Sequence, residues 1–129
     1  MRPTVMRAAL QAAVLLGCGW TVLPASAAGN VERGADVFDA QCAECHSVKP
    51  GKNKKGPSLF AILGRHAATV PDFVYSDAMK ASNITWTPDK IGAYVNAPKT
   101  VVPGGKMKFD SKLSADEVAD LLAFLGTLR

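Results

Sequence analysis

Apolar positions along the chain recur at helical spacing, in short bursts separated by polar or Gly/Pro-rich runs. The strongest burst is the last. Val118, Leu121, Leu122 and Leu125 repeat at i, i+3, i+4, i+7 behind Ser114-Ala115-Asp116-Glu117, a capping-box pattern that predicts a helix over about 115–128. Near the start, Asn30 can cap a helix over about 31–41 whose Val31, Gly34, Val37 and Phe38 share a face. Gly34 weakens that helix relative to alanine, so a close helix contact is its expected reason. Thr87-Pro88-Asp89 supplies an N-cap and an N1 proline for a third helix, with Ile91, Tyr94 and Val95 as its buried stripe and Pro98 as its stop. Ser76 or Asp77 can cap a shorter one through Lys80.

Between these lie loops. Residues 47–56 are polar around Pro50-Gly51, and 57–63 carry Leu59, Phe60, Ile62 and Leu63, enough for one short buried turn or helix. Residues 99–112 contain Pro103-Gly104-Gly105 and no usable periodicity, and loops that long usually have a function. No convincing strand alternation and no internal repeat is present, so the expected fold class is all-α with long loops. Short helices joined by so much irregular chain give a thin core, which a large apolar cofactor at the centre would complete.

Composition changes this picture mainly at the N-terminus. A hydrophobic content of 48% is ordinary for a globular protein, but part of it belongs to residues 1–27. These begin with Arg2 and Arg7, run through apolar Ala8 to Trp20 and end in Ala25-Ser26-Ala27, the pattern of a secretory signal peptide cleaved near Ala27/Ala28. An uncleaved anchor, or lipoprotein processing at Cys18, are the other readings of this leader. Residues 28–129 then form a single domain, exported to the periplasm. Losing Arg2 and Arg7 with no acid lowers the formal charge from +4 by two, so an electrostatic role depends on where the lysines lie. No basic run is interleaved with aromatics, which argues against nucleic-acid binding.

The candidate chemistry sits in Cys42-Ala43-Glu44-Cys45-His46. Two thiols three positions apart can each add across a vinyl group of one haem, and the adjacent imidazole can then reach the iron. A thioredoxin-like dithiol would need a βαβ setting, a zinc site would need a fourth ligand where the only other histidine is His66, and chance is the remaining reading. A haem held by His46 needs a sixth ligand or leaves an open site. Beyond the leader the methionines are Met79, in a predicted helix where such a residue usually fills core, and Met107, in the long loop, which is favoured because a loop can wrap around a cofactor.

Taken together, this motif and Lys55-Gly56-Pro57-Ser58-Leu59, Leu63-Gly64-Arg65, Phe73-Val74-Tyr75-Ser76-Asp77-Ala78, Ile84-Thr85-Trp86, Tyr94 and Pro103-Gly104-Gly105-Lys106-Met107-Lys108-Phe109 resemble the class I c-type cytochromes, mitochondrial-type and bacterial periplasmic. The resemblance covers nearly all of residues 28–129. It implies the cytochrome c fold, with crossed N- and C-terminal helices around one covalent haem c held through Cys42 and Cys45, and iron ligands His46 and Met107. It further implies that the Pro57 carbonyl accepts the imidazole N–H, that Arg65, Tyr75 and Trp86 serve the haem propionates, and that the Tyr94 hydroxyl approaches the methionine sulfur. Phe109 matches an aromatic beside the exposed haem edge. Gly34 and Phe38 should pack on Leu121 and Phe124.

The departures are also informative. Met79 stands where mitochondrial relatives have asparagine, Gly105 where many have threonine, and Gln41 and Glu44 where docking lysines are common. Lys54, Lys99, Lys106 and Lys108 remain candidates for a basic ring or for a merely solvated surface. The expected function is that of a soluble, monomeric periplasmic one-electron carrier and not an enzyme. Its expected partners are a membrane-bound oxidase, a cytochrome bc complex or a dehydrogenase, with membrane contact only through them. The alternatives are a haem peroxidase or gas-binding protein with an open distal site, and the dedicated electron-accepting subunit of one dehydrogenase.

Overall fold

The structure is a computed structural model that describes residues 28–110 and 112–129. The leader expected over 1–27, with its alternatives at Cys18, lies outside the described residues. The described residues form five helices in order: α1 (Val31–Gln41), α2 (Asp77–Ala81), α3 (Pro88–Asn96), α4 (Pro98–Val101) and α5 (Ala115–Leu125). Among the described residues the only β-type pairing is an isolated antiparallel bridge between His66 and Thr85, so the class is all-α as expected. No described helix is long and apolar enough to cross a membrane.

The caps form where the sequence placed them. Asn30, Ser76, Thr87 and Ser114 each accept a backbone N–H at a helix start, and Glu117 returns a bond to Ser114 N to close the capping box. Two boundaries differ from expectation. α5 ends at Leu125 rather than near 128, because Thr127 N–H and Leu128 N–H donate to carbonyls three residues back, Phe124 and Leu125, which tightens the chain out of the α-helix. Pro98 stops α3 and also opens α4, since proline at a first helical position has no N–H to leave unpaired. The loop expected over 99–112 therefore starts with a helical turn. Residues 57–63 form turns and no helix.

α1 and α5 are the main helix pair, and α3 packs on α4 and α5. Gly34 is the point of closest approach: a Cβ there would lie 1.9 Å from the Asp120 carbonyl oxygen and 2.7 Å from Phe124 Cβ. One turn on, the Phe38 and Phe124 rings meet at 5.8 Å between centroids. A polar latch that the sequence reading did not anticipate closes the same interface. Asp120, buried, accepts from Asn30 N at 2.6 Å and from Arg33 Nε and Nη2 at 2.7 and 3.0 Å. Arg33, with the Asn30 amide, holds the Asp120 carboxyl below the usual carboxylate range. Phe38, Leu121 and Leu125 continue from this interface into a core shared with Ile62, Trp86, Ile91, Tyr94, Val95, Val102 and Leu113.

Candidate functional site

One cavity of about 630 Å³ opens into this core, within the roughly 300–1,000 Å³ of cofactor pockets. Cys42, Cys45, His46, Pro57, Arg65, Tyr75, Trp86, Tyr94 and Met107 all line it, so residues from across the sequence converge on a single site. Met79 and His66 reach its wall as well.

The attachment segment is the direct continuation of α1. Cys42 N–H and Ala43 N–H both donate to Phe38 O, and Cys45 N–H and His46 N–H donate to Cys42 O at 3.1 and 2.9 Å. This tight turn brings both thiols and the imidazole to the cavity. His46 Nδ1 lies 2.8 Å from Pro57 O, and since a carbonyl can only accept, Nδ1 carries the proton and Nε2 keeps its lone pair. Burial lowers the pKa of His46 against the opposing effect of the Pro57 bond, which favours the neutral imidazole that a metal needs.

Gly56 makes that geometry possible. A Cβ there would fall 2.4 Å from His46 Cε1 and 2.7 Å from Nδ1, so any side chain would displace the ring. The loop carrying Gly56-Pro57 is pinned from within. Ser47 and Ser58 hydroxyls donate to Lys52 O and Lys49 O, while Asn53 accepts from Ser58 N and donates to Pro71 O, both at 2.9 Å. Asn53 thereby ties this loop to the one leading to Tyr75. Asn53 did not stand out in the sequence, where it lay in a polar run, and Gly56 figured only within the Lys55-Gly56-Pro57-Ser58-Leu59 segment, with no role of its own.

The three aromatics and Arg65 offer polar groups to the cavity. Arg65 donates Nη1 to Phe60 O at 2.8 Å and Nη2 to Ser58 O at 3.0 Å, so it is held rather than loosely solvated, with donors of its guanidinium left over. The Tyr75 hydroxyl accepts from Val70 N at 3.2 Å and keeps its own proton to give. The Trp86 and Tyr94 rings meet at a tilt of 50° with centroids 5.0 Å apart, and neither the Trp86 N–H nor the Tyr94 hydroxyl donates a hydrogen bond among the described residues, while both residues line the cavity. Burial raises the Tyr94 pKa, keeping it a neutral donor. Unpaired donors on the wall of an apolar cavity fit a ligand that is apolar in body and acidic at its edge.

Met107 arrives on a type II turn. Pro103 stands at its second position, Gly104 follows with φ of 83°, and Gly105 N–H closes it on Val102 O at 3.0 Å. Both methionines line the cavity, Met107 from this loop and Met79 from α2. The donor set of two thiols, one oriented imidazole and a thioether suits haem iron. The competing readings of the motif do not fit. Burial, with a smaller contribution from Cys45, pushes the Cys42 thiol up to about 11, opposite to the depressed value of a redox-active thiol, and no cluster of three or more His, Cys, Asp or Glu able to hold a metal occurs among the described residues.

Sequence comparison agrees. The family model described as "Cytochrome c" matches residues 31–129. The chain belongs to the cytochrome c family. It is 45% identical to cytochrome c2 of Blastochloris viridis over 81% of this chain and 82% of that one. It is 39% identical to cytochrome c2 of Rhodopila globiformis over 78% and 95%, and 36% identical to cytochrome c of Euglena viridis over 78% and 99%. It is an electron carrier with one haem c attached covalently through Cys42 and Cys45, and not an enzyme.

Within this cytochrome c, two lysines close on the attachment motif. Glu44, the acid inside the motif, pairs with Lys55, and Lys54 Nζ donates to Ala43 O. Lys106 and Lys108, which line the cavity from exposed positions, form no ion pair among the described residues.

Proposed function

We propose that residues 28–129 act as a soluble, monomeric periplasmic shuttle, exported by a leader over 1–27, with His46 and Met107 as the two iron ligands. The observation that carries this reading is the convergence of all nine candidate residues on one cavity, with His46 Nε2 left free by the Nδ1–Pro57 bond. The haem supplies a one-electron couple at its iron. The protein supplies everything that makes the couple usable. Pro57, by accepting the Nδ1 proton, fixes the ring and raises its basicity. Arg65, Tyr75 and Trp86, all on the cavity wall, would hold the propionates with their remaining donors, whose burial would otherwise be costly. Tyr94 lines the same cavity as Met107 and would have its free hydroxyl to offer the Met107 sulfur once the cavity is filled, and the apolar wall of Ile91, Val95 and Leu121 would keep water away. With His46 and Met107 both holding the iron, no site would be left for a substrate, and the haem would exchange electrons at the exposed mouth with a membrane-bound oxidase, a cytochrome bc complex or a dehydrogenase.

Of the two methionines on the cavity wall, Met107 is the ligand, because a loop leaving a tight turn can place a thioether at the iron while Met79 stays bound into α2, its sulfur 3.9 Å from Ser82 Oγ. The test is the weak red charge-transfer band of sulfur on ferric iron. Met107→Ala should abolish it and Met79→Ala should retain it; the reverse pattern, or its absence in the wild type, overturns the assignment.

A further inference from the structure

We propose that Asn96 is a positioning residue for the distal side: by clamping Leu113 it fixes the far end of the Met107 loop and so sets how readily Met107 leaves ferric iron. This rests on Met107 being the second iron ligand and names the residue that keeps it in place.

Residues 106–112 are held between two posts. At the near one, Val102, 2% exposed, accepts from Gly105 N–H at 3.0 Å, and its own N–H donates to Pro98 O at 2.9 Å. Space there is tight. A Cβ on Gly105 would lie 3.0 Å from Val102 O, and one on Gly104 3.3 Å from Ala78 Cβ. At the far post the Asn96 side chain makes two bonds to one residue. Leu113 N–H donates to Asn96 Oδ1, and Asn96 Nδ2 donates to Leu113 O, both at 2.9 Å. In between, residues 106–110 and 112 make no hydrogen bond to any described residue, and Met107 and Phe109 are what packs against the core.

Asn96 owes its place to α3 and not to the loop. It is the last residue of that helix, behind the buried Ile91, Tyr94 and Val95, and the next N–H, that of Ala97, closes the helix on Ala93 O and Tyr94 O. Asparagine is also the side chain this geometry needs. Its amide carries an acceptor and a donor at one fixed spacing, so it pairs with a main-chain N–H and C=O as a neighbouring strand would. Aspartate lacks the donor, and alanine lacks both. The clamp ties the end of α3 to the residue before the Ser114 cap of α5. Leu113 is buried and lines the cavity, so unclamping it leaves a buried N–H and C=O without partners until the loop moves out to water. Met107 lies on the stretch that moves.

The experiment uses ferric holoprotein and imidazole, a neutral nitrogen ligand that takes the distal position only when Met107 has left it. Binding is followed by loss of the red sulfur-to-iron band. Two hydrogen bonds of ordinary strength shift an equilibrium by about tenfold, so Asn96→Ala should bind imidazole about tenfold more tightly than wild type. Asp120→Asn is the comparison, since it loosens the α1–α5 interface and leaves the clamp whole. Its imidazole affinity should stay within about twofold of wild type, which a general loss of stability would not distinguish from Asn96→Ala. If Asn96→Ala does not accumulate as holoprotein, amide exchange in the wild type decides. Saturating imidazole should speed exchange of the Leu113 amide about tenfold and leave the amides of α1 unchanged. Wild-type imidazole affinity in Asn96→Ala, an equal effect of Asp120→Asn, or a Leu113 amide indifferent to imidazole overturns the proposal. A wild type without the band overturns Met107 as the ligand, and this proposal with it.

Discussion

Gly56→Ala is the substitution that most directly joins the fold to the proposed axial ligand. The added Cβ would lie 2.4 Å from His46 Cε1, 2.7 Å from Nδ1 and 3.0 Å from Nε2. Carbon atoms rest at about 3.5 Å or more, so the ring must retreat by roughly 1 Å, or Gly56 must, and Gly56 is buried and bonded through its N–H to Cys45 O at 2.7 Å. A retreat of that size lengthens or misaligns the 2.8 Å bond from Nδ1 to Pro57 O. Overpacking of this kind costs about 1–3 kcal/mol and the lost hydrogen bond about 0.5–1.5 kcal/mol, so stability should fall by about 2–4 kcal/mol. The redox consequence has a definite sign. A donating Nδ1–H makes the imidazole a stronger ligand and favours the ferric state, so weakening it raises the reduction potential, by up to tens of millivolts if that bond energy falls mainly on one oxidation state. Guanidinium denaturation of the ferric holoprotein and a spectroelectrochemical titration measure the two effects. A variant as stable as the wild type with an unchanged potential would show that the Gly56-Pro57 segment does not set the position of His46.

Two further changes test the frame around the site. Asp120 has a depressed folded pKa, so its contribution is complete above the unfolded value near ~4 and is lost as pH falls through the lower folded one. Asp120→Asn should therefore lower the melting temperature at neutral pH, with a gap from wild type that closes on acidification below about pH 4; a gap that stays constant rules out the Arg33 latch as its origin. Ala61 is exposed with φ of 53°, in the left-handed region that costs a side-chain-bearing residue about 1–2 kcal/mol, against about 0.5–1 kcal/mol of added chain entropy for glycine. Ala61→Gly should gain about 0.5 kcal/mol in chemical denaturation, and a loss of stability would refute the strain.

What could be read from the sequence was whatever has a local cause. α1, α3 and the start of α5 announce themselves because a capping side chain, an N1 proline and an apolar stripe all act within a turn or two. α4 did not, since four residues are too few to show a period and Pro98 reads equally as a stop. The Arg33–Asp120 latch joins positions 87 apart, and each residue alone looks like surface charge. Gly34 carried a local anomaly, a glycine inside a helix, and its helix contact was therefore foreseeable. Gly56 lies in a loop where glycine is unremarkable, and only the three-dimensional approach of His46 gives it meaning. The same holds for the Glu44–Lys55 pair, eleven positions apart and visible only once the loop folds back on the motif.

The core and the site are largely the same residues, and this explains where the attachment motif sits. Of the buried cluster, only Phe38 and Val102 do not also line the cavity; Trp86, Tyr94, Leu121 and the rest face it. Their hydrophobic contribution thus depends on what fills that space, and a loop-rich chain cannot replace it by collapsing, because close-packed interiors relax only partly around a void. The exception is the α1–α5 pair, which has an interface of its own in Gly34, the Phe38–Phe124 contact and the Asp120 latch. Cys42 and Ala43 hang from Phe38 O at the end of α1, so the covalent links are made at a helix pair whose interface does not depend on the cofactor. His46 inherits its position from that pair and its orientation from the pinned loop at Pro57. Met107, on a loop after the short α4 turn, has no such helix pair behind it, so the bond it would make to iron is the one that depends most on the cavity being filled.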